Sequence, residues 1–105
     1  MIKSRIELHN TLKQLLGTDN VYYQPPENLK IKYPAIIYTK KDIDKYNANN
    51  RPYFMSVDYT ITVISSMPDN PVINKILNLE GSEYERYYYI NSLNHDVINM
   101  STLNT

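Results

Sequence analysis

The 105-residue chain has the length of one domain; it balances 11 basic against 11 acidic residues and contains no cysteine. The even charge argues against general nucleic-acid binding, which needs a basic face to displace phosphate counterions. Absent thiols exclude disulfides, thiolate metal sites and a cysteine nucleophile, and fit a reducing compartment.

No apolar run approaches the roughly 20 residues that span a bilayer. The start, Met1-Ile2-Lys3-Ser4-Arg5-Ile6, soon becomes a polar helix pattern rather than the apolar stretch of a signal peptide. A soluble, unexported protein without membrane association is therefore expected.

Ser4 and Glu7 have capping-box spacing, with the hydroxyl accepting from an early helix amide and the carboxylate reaching back to the cap amide. Ile6, Leu8, Leu12, Leu15 and Leu16 recur at three- and four-residue spacing, and Gly17 can stop the helix in the left-handed conformation. The pattern predicts a helix from Ser4 to Leu16. After a turn at Thr18-Asp19-Asn20, Val21-Tyr22-Tyr23 makes a short extended piece, ended by Pro25 and Pro26, which cannot donate to a ladder.

Tyr33 to Thr39 reads as a second strand. Lys40 to Pro52 follows, charged, asparagine-rich and longer than most hairpin loops, which predicts a loop. Two readings stand: an arm that contacts a partner, or a solvated hairpin tip. Within it Asp42 and Asp44 have the period-two spacing that puts both carboxylates on one strand face, with Lys40, Lys41 and Lys45 beside them as a salt-laced surface.

From Tyr53 to Ile64 the alternation is clear. Met55, Val57, Tyr59, Ile61 and Val63 point one way and Ser56, Asp58, Thr60 and Thr62 the other, as in an antiparallel strand with one wet face. Asn70 as cap and Pro71 at the first helical position begin a second helix, with a stripe of Val72, Ile73, Ile76, Leu77 and Leu79 closed by Gly81. Tyr84 to Ile90, a turn at Asn91-Ser92 and Leu93 to Met100 predict a β-hairpin. Ser101 to Thr105 is expected to be a loose tail. The sum is a single α+β domain, an antiparallel sheet of four or five strands packed against two helices, mostly on one face.

The chemistry-bearing residues are sparse. His9 and His95 are the two imidazoles. Asn94-His95-Asp96 resembles a general-base fragment, but strand neighbours point to opposite faces and no G-x-S-x-G elbow accompanies them. No H-E-x-x-H is present, and Asp42 and Asp44 lack the glycine and terminal glutamate of a calcium loop. Two glycines leave no phosphate cradle. No catalytic residue, metal or cofactor is expected. The 11 tyrosines, beside one phenylalanine and no tryptophan, either face half-buried sheet surfaces or serve an interface, where an apolar ring with a polar tip is favoured.

Tyr22-Tyr23-Gln24-Pro25-Pro26-Glu27, Lys32-Tyr33-Pro34-Ala35-Ile36-Ile37-Tyr38, Tyr59 to Ile64 and Asn91-Ser92-Leu93-Asn94-His95 carry a resemblance over nearly the whole chain. They look like small tail terminator, tail completion or head-tail joining proteins of long-tailed phages and prophages of Gram-positive bacteria. That resemblance implies a structural virion protein, not an enzyme. It would be assembled in the host cytoplasm and located at the tail or neck, with no direct nucleic-acid recognition. Its partners would be copies of itself in a hexameric ring, the tail tube protein and the head connector. A neck or head-completion protein and a small prophage-encoded binder of a host protein remain as alternatives. The candidate interface is Lys40, Lys41, Asp42, Asp44, Lys45, Tyr46 and Arg51 on the arm, with Tyr87 and Tyr89 on the open sheet face.

Overall fold

A computed structural model describes residues 1–48 and 51–104. The order is α1 (Arg5–Leu16), β1 (Val21–Tyr23), β2 (Ala35–Ala48), β3 (Arg51–Ser65), α2 (Val72–Leu77), β4 (Ser82–Ile90) and β5 (Leu93–Asn104). One five-stranded sheet runs β1-β2-β3-β5-β4. It is mixed: β1 pairs parallel to β2, and every other pair is antiparallel. The expected α+β class holds, with this one parallel strand added. The eleven residues from Gln24 to Pro34 carry the chain from the end of β1 back to the start of β2.

Local chemistry accounts for the helices. Ser4 caps α1 with Oγ accepting from Glu7 N at 3.1 Å, and Gly17 ends it at φ +82°. The Glu7 carboxylate reaches one residue further back than a capping box, to Lys3 N at 3.0 Å. Asn70 Oδ1 accepts from Val72 N at 3.0 Å, satisfying one orphan donor of α2. That helix ends at Leu77, short of Gly81.

Both helices cover one face. Leu8 and Leu12 of α1 and Val72 and Ile76 of α2 pack on Ile36, Tyr38, Tyr59, Ile61, Val63, Ile98 and Met100. Each fully buried leucine or isoleucine contributes about 1.5–3 kcal/mol relative to exposure. Ile6, placed in the α1 stripe by its spacing, instead faces solvent, as does Met55 at the far end of β3. Ile6 lies on the outer side of α1, and Met55 sits past the covering helices.

Two segments differ from expectation. Lys40 to Ala48 is not a loop but the outer half of β2, paired with β3 down to Ala48↔Arg51. Asn49 and Asn50 lie outside the described residues, and Arg51 and Pro52, the rest of that segment, begin β3. The strand is hard to see in sequence because both its faces reach past the helices into water, so its composition is polar. The tail is likewise ordered: Ser101 to Asn104 continues β5 along β3, and Leu103 N donates to Ile2 O at 2.9 Å. Thr105 lies outside the described residues. The projecting hairpin gives extents of 52 × 30 × 23 Å and a radius of gyration of 14.7 Å, against about 13 Å for a compact domain of this length.

Candidate protein interface

The sheet has two unequal edges. On one side β1 covers β2 only at Ile36, Ile37 and Tyr38, and Gln24, at φ +45°, leads directly into Pro25-Pro26. This part of the edge is protected by shortness and by missing donors. Gln24 Oε1 takes Lys40 N at 3.1 Å. Beyond that point, among the described residues, no strand pairs with the outer side of β2.

The other edge is β4, and among the described residues nothing covers it. Gly81 sets its path: at φ +94° it lies so close to β5 that an added Cβ would sit 2.6 Å from the Ser101 carbonyl oxygen. Ser101 N donates to Gly81 O at 2.9 Å. At the far end Asn91 and Ser92, at φ +53° and +61°, make the two-residue turn whose twist suits a hairpin. From Glu83 to Ile90 every residue of β4 is exposed, with Tyr89 at 62% and Ile90 at 52%.

The register corrects one placement. Tyr87 opposes Asp96 and Tyr89 opposes Asn94, the parity of Ile98 and Met100, so both tyrosines stand on the helix side of the sheet and not on its open face. They are exposed because α2 stops short of them. Tyr88 and Arg86 occupy the open face, opposite His95 and Val97. The physical reason is the bulge between Tyr84 and Arg86, which resets the alternation.

These side chains are held. Tyr84 donates to Asp96 Oδ1 at 2.7 Å, and Tyr87 donates to Asn94 Oδ1. Burial, then the bond to Asp96 and that carboxylate's charge, push the Tyr84 phenol up to about 12. Tyr88 stacks on His95 with centroids 4.6 Å apart, and Arg86 lies over its ring at 5.5 Å. His95 Nδ1 is 3.1 Å from Leu93 O. His95 and Asp96 therefore engage different partners on opposite faces, as alternation predicts.

On the projecting hairpin, Lys41 is the extra residue of a bulge between Lys40 and Asp42. Asp42, Asp44 and Tyr46 oppose Asp58, Ser56 and Phe54 on the open side; Lys40, Ile43 and Lys45 oppose Tyr59, Val57 and Met55 on the helix side. The expected sharing of a face by Asp42 and Asp44 is observed. Salt-lacing by the lysines is not, because Lys40 and Lys45 point the other way and no ion pair joins these residues among those described. Instead Asp42, Asp44 and Asp58 gather their carboxylates within 4.8 Å, the described group best spaced to take a cation. Asp58 Oδ1 accepts from Ser101 Oγ at 2.7 Å. Tyr46 stacks on Phe54 at 4.6 Å near the tip. Arg51 opens β3 opposite Ala48; its side chain lies outside the described part.

Sequence reasoning passed over Ile43, Tyr88 and Ile90, although the alternation of Ile43 with its two aspartates was a usable signal. His9 also has a defined place. Its Nδ1 is 2.7 Å from Tyr38 Oη, Arg5 reaches the same oxygen at 3.3 Å, and Arg5 lies over Tyr23 at 4.5 Å. Burial first, then the charges of Lys13 and Arg5, lower the His9 pKa from its ordinary value. This group ties α1 to the sheet.

A groove of about 470 Å³ runs between α2 and β4, lined by Pro68, Ile73, Leu77, Tyr84 and Asp96. Among the described residues no helix is long and apolar enough to cross a membrane. No protein-family model matches the chain, and no curated protein matches it.

Proposed function

We propose that this chain is a structural assembly subunit that acts by surface complementarity, namely a phage tail terminator whose copies close into a ring on the tail tube and present a surface to the head connector. The phage identity rests on the sequence resemblance. The observation that carries the assembly role is the pairing of an uncovered, tyrosine-rich edge strand, Ser82–Ile90, with a hairpin that projects past the core.

Natural sheets usually blunt a long edge with lysine, proline, a covering helix or extreme shortness. β1 follows that rule and Tyr87 to Ile90 does not. Exposed tyrosines offer large, stiff contact area at little entropic cost and are enriched at protein interfaces. A ring needs a heterologous contact, in which two different patches of one subunit meet on neighbours and the rotation closes. Two dissimilar edges on one sheet meet that requirement.

The test is electron microscopy of virions made with this gene disrupted. Tails of uncontrolled length are expected, together with capture of purified tail tube by the purified protein. Capture of the portal side but not the tube would shift the role to head completion. Absence from virions with capture of a host protein would replace the virion role altogether.

A further inference from the structure

We propose that β4 of one copy adds, antiparallel, to the outer edge of β2 of the next copy, with Arg86 opposite Asp44. The inference deepens the assembly reading and rests on it only for the statement that copies associate. Its partner is a second copy of this chain because the two edges match in length, face and charge.

Length comes first. β4 has nine residues, Ser82–Ile90, and β2 beyond the part covered by β1 runs from Lys40 to Ala48. Setting Arg86 against Asp44, with the bulge residues Lys41 and Glu85 passed over, brings Tyr89 to Lys40 and Ser82 to Asn47. The incoming strand then covers β2 beyond Tyr38, the last residue that β1 pairs, and abuts Gln24, whose Oε1 takes Lys40 N.

Face comes next. A strand added to a sheet must keep its side-chain parity. Arg86 and Tyr88 stand on the open face, as do Asp44 and Asp42; Tyr87 stands on the helix side, as does Ile43. Between the two bulges the same register then pairs Arg86 with Asp44 and Tyr88 with Asp42 on the open face and Tyr87 with Ile43 on the helix side. An opposite-charge pair beside an aromatic–β-branched pair is a combination that stabilises neighbouring strands. It also gives Asp44, set among like charges, a cation. Sliding the register by two residues in one direction sets Arg86 against Tyr46 and Tyr87 against Lys45. A slide the other way leaves Arg86 at Asp42 but sets Tyr87 against Lys41, the extra residue of the bulge.

The geometry also favours closure. Within a subunit Arg86 lies level with Ile37, through Val97 and Thr62. Moving from Ile37 to Asp44 is seven residues, less one for the bulge at Lys41. That is a rise of roughly 20 Å per subunit, against a lateral step of four strand spacings, roughly 19 Å. The strands then tilt by roughly 45° to the direction of assembly, close to the tilt of sheets that close on themselves.

The experiment is a charge swap in the full-length chain, read by sedimentation velocity and native mass spectrometry over a concentration series. Arg86→Asp and Asp44→Arg are each expected to lose the oligomer, and the double variant to recover it. Because the chain has no cysteine, Tyr87→Cys with Ile43→Cys adds a second readout. Mild oxidation is expected to give a disulfide-linked ladder of copies, and Tyr89→Cys with Ile43→Cys not to. Within one copy these positions are three strand spacings apart, too far for a disulfide. Circular dichroism checks that each variant folds.

The proposal is overturned by a chain that stays monomeric and gives no ladder, by oligomers indifferent to the single swaps, or by a double swap that does not recover. Swap-indifferent oligomers in a protein whose loss still alters tail length would sink the pairing and keep the phage role. Swap-sensitive oligomers with unchanged tails would do the reverse.

Discussion

Substituting alanine at each of the two glycines separates two physical costs that sequence treats alike. Both sit at positive φ, +82° at Gly17 and +94° at Gly81. An L-residue forced into that region costs about 1–2 kcal/mol. At Gly17 an added Cβ meets nothing within 4 Å, so that strain is the whole effect. At Gly81 the same atom falls 2.6 Å from the Ser101 carbonyl oxygen, which is backbone and cannot swing aside. β4 must move away from β5, and the bond from Ser101 N to Gly81 O at 2.9 Å is strained or lost, a further 0.5–1.5 kcal/mol or so. Gly81→Ala is therefore expected to destabilise by about 1.5–3.5 kcal/mol and Gly17→Ala by about 1–2 kcal/mol. Urea unfolding followed by far-ultraviolet circular dichroism measures both, with an unchanged denaturant slope required for the comparison. In a thermal scan the difference should appear as a gap of several degrees, since 1 kcal/mol moves Tm by about 4–8 °C at this size. Equal losses at the two glycines, or a larger one at Gly17, would refute the close-approach account of β4.

Three further outcomes follow from other sites. Ser92→Gly should stabilise by about 0.5–1 kcal/mol in the same urea assay, because Ser92 holds φ +61° in a turn that favours glycine. Asp42→Thr should raise stability by about 0.2–1 kcal/mol at low salt and by less at high salt, since Asp42 and Asp58 are directly opposed like charges. His9 should titrate below 6.5 by NMR, with burial as the main cause. A lowered folded pKa means that its share of stability is full above 6.5 and is lost as pH falls from there through the folded value. Tyr38→Phe removes the hydroxyl shared by His9 and Arg5, and should cost about 1–3 kcal/mol at neutral pH.

Elements that bury one face were legible in the sequence. The stripe of Leu8 and Leu12 and the alternation from Val57 to Val63 write the core directly, and Ser4, Gly17 and Asn70 mark helix ends through hydrogen bonds local to the chain. The projecting strands were not legible for the converse reason. Lys40 to Tyr46 and Ser101 to Leu103 owe their conformation to a ladder with β3, and a strand wet on both faces has no hydrophobic period to detect. The sequence pattern makes Gly81 a helix stop, because a sequence cannot show the approach of Ser101, twenty positions away. For the interface, the hairpin residues and tyrosines were the right region, but their faces depended on bulges at Lys41 and between Tyr84 and Arg86. One inserted residue inverts every side chain that follows.

Those two bulges also bear on how the surface works. Without the one at Lys41, Asp42 and Asp44 would fall on the helix side with Ile36 and Tyr38, and the open face of the hairpin would carry Ile43 and Lys45. Without the one before Arg86, the guanidinium would leave the open face and Tyr87 would stand beside His95 in place of Tyr88. Arg86 and Asp44 share the open face because each strand carries one irregularity. A bulge weakens the ladder it interrupts, so two of them on the two free edges of one small sheet represent stability given up at the borders. The core gains nothing from either. What both accomplish is to aim charged and aromatic side chains outward on matching faces, which is useful to a subunit only if something pairs with those edges.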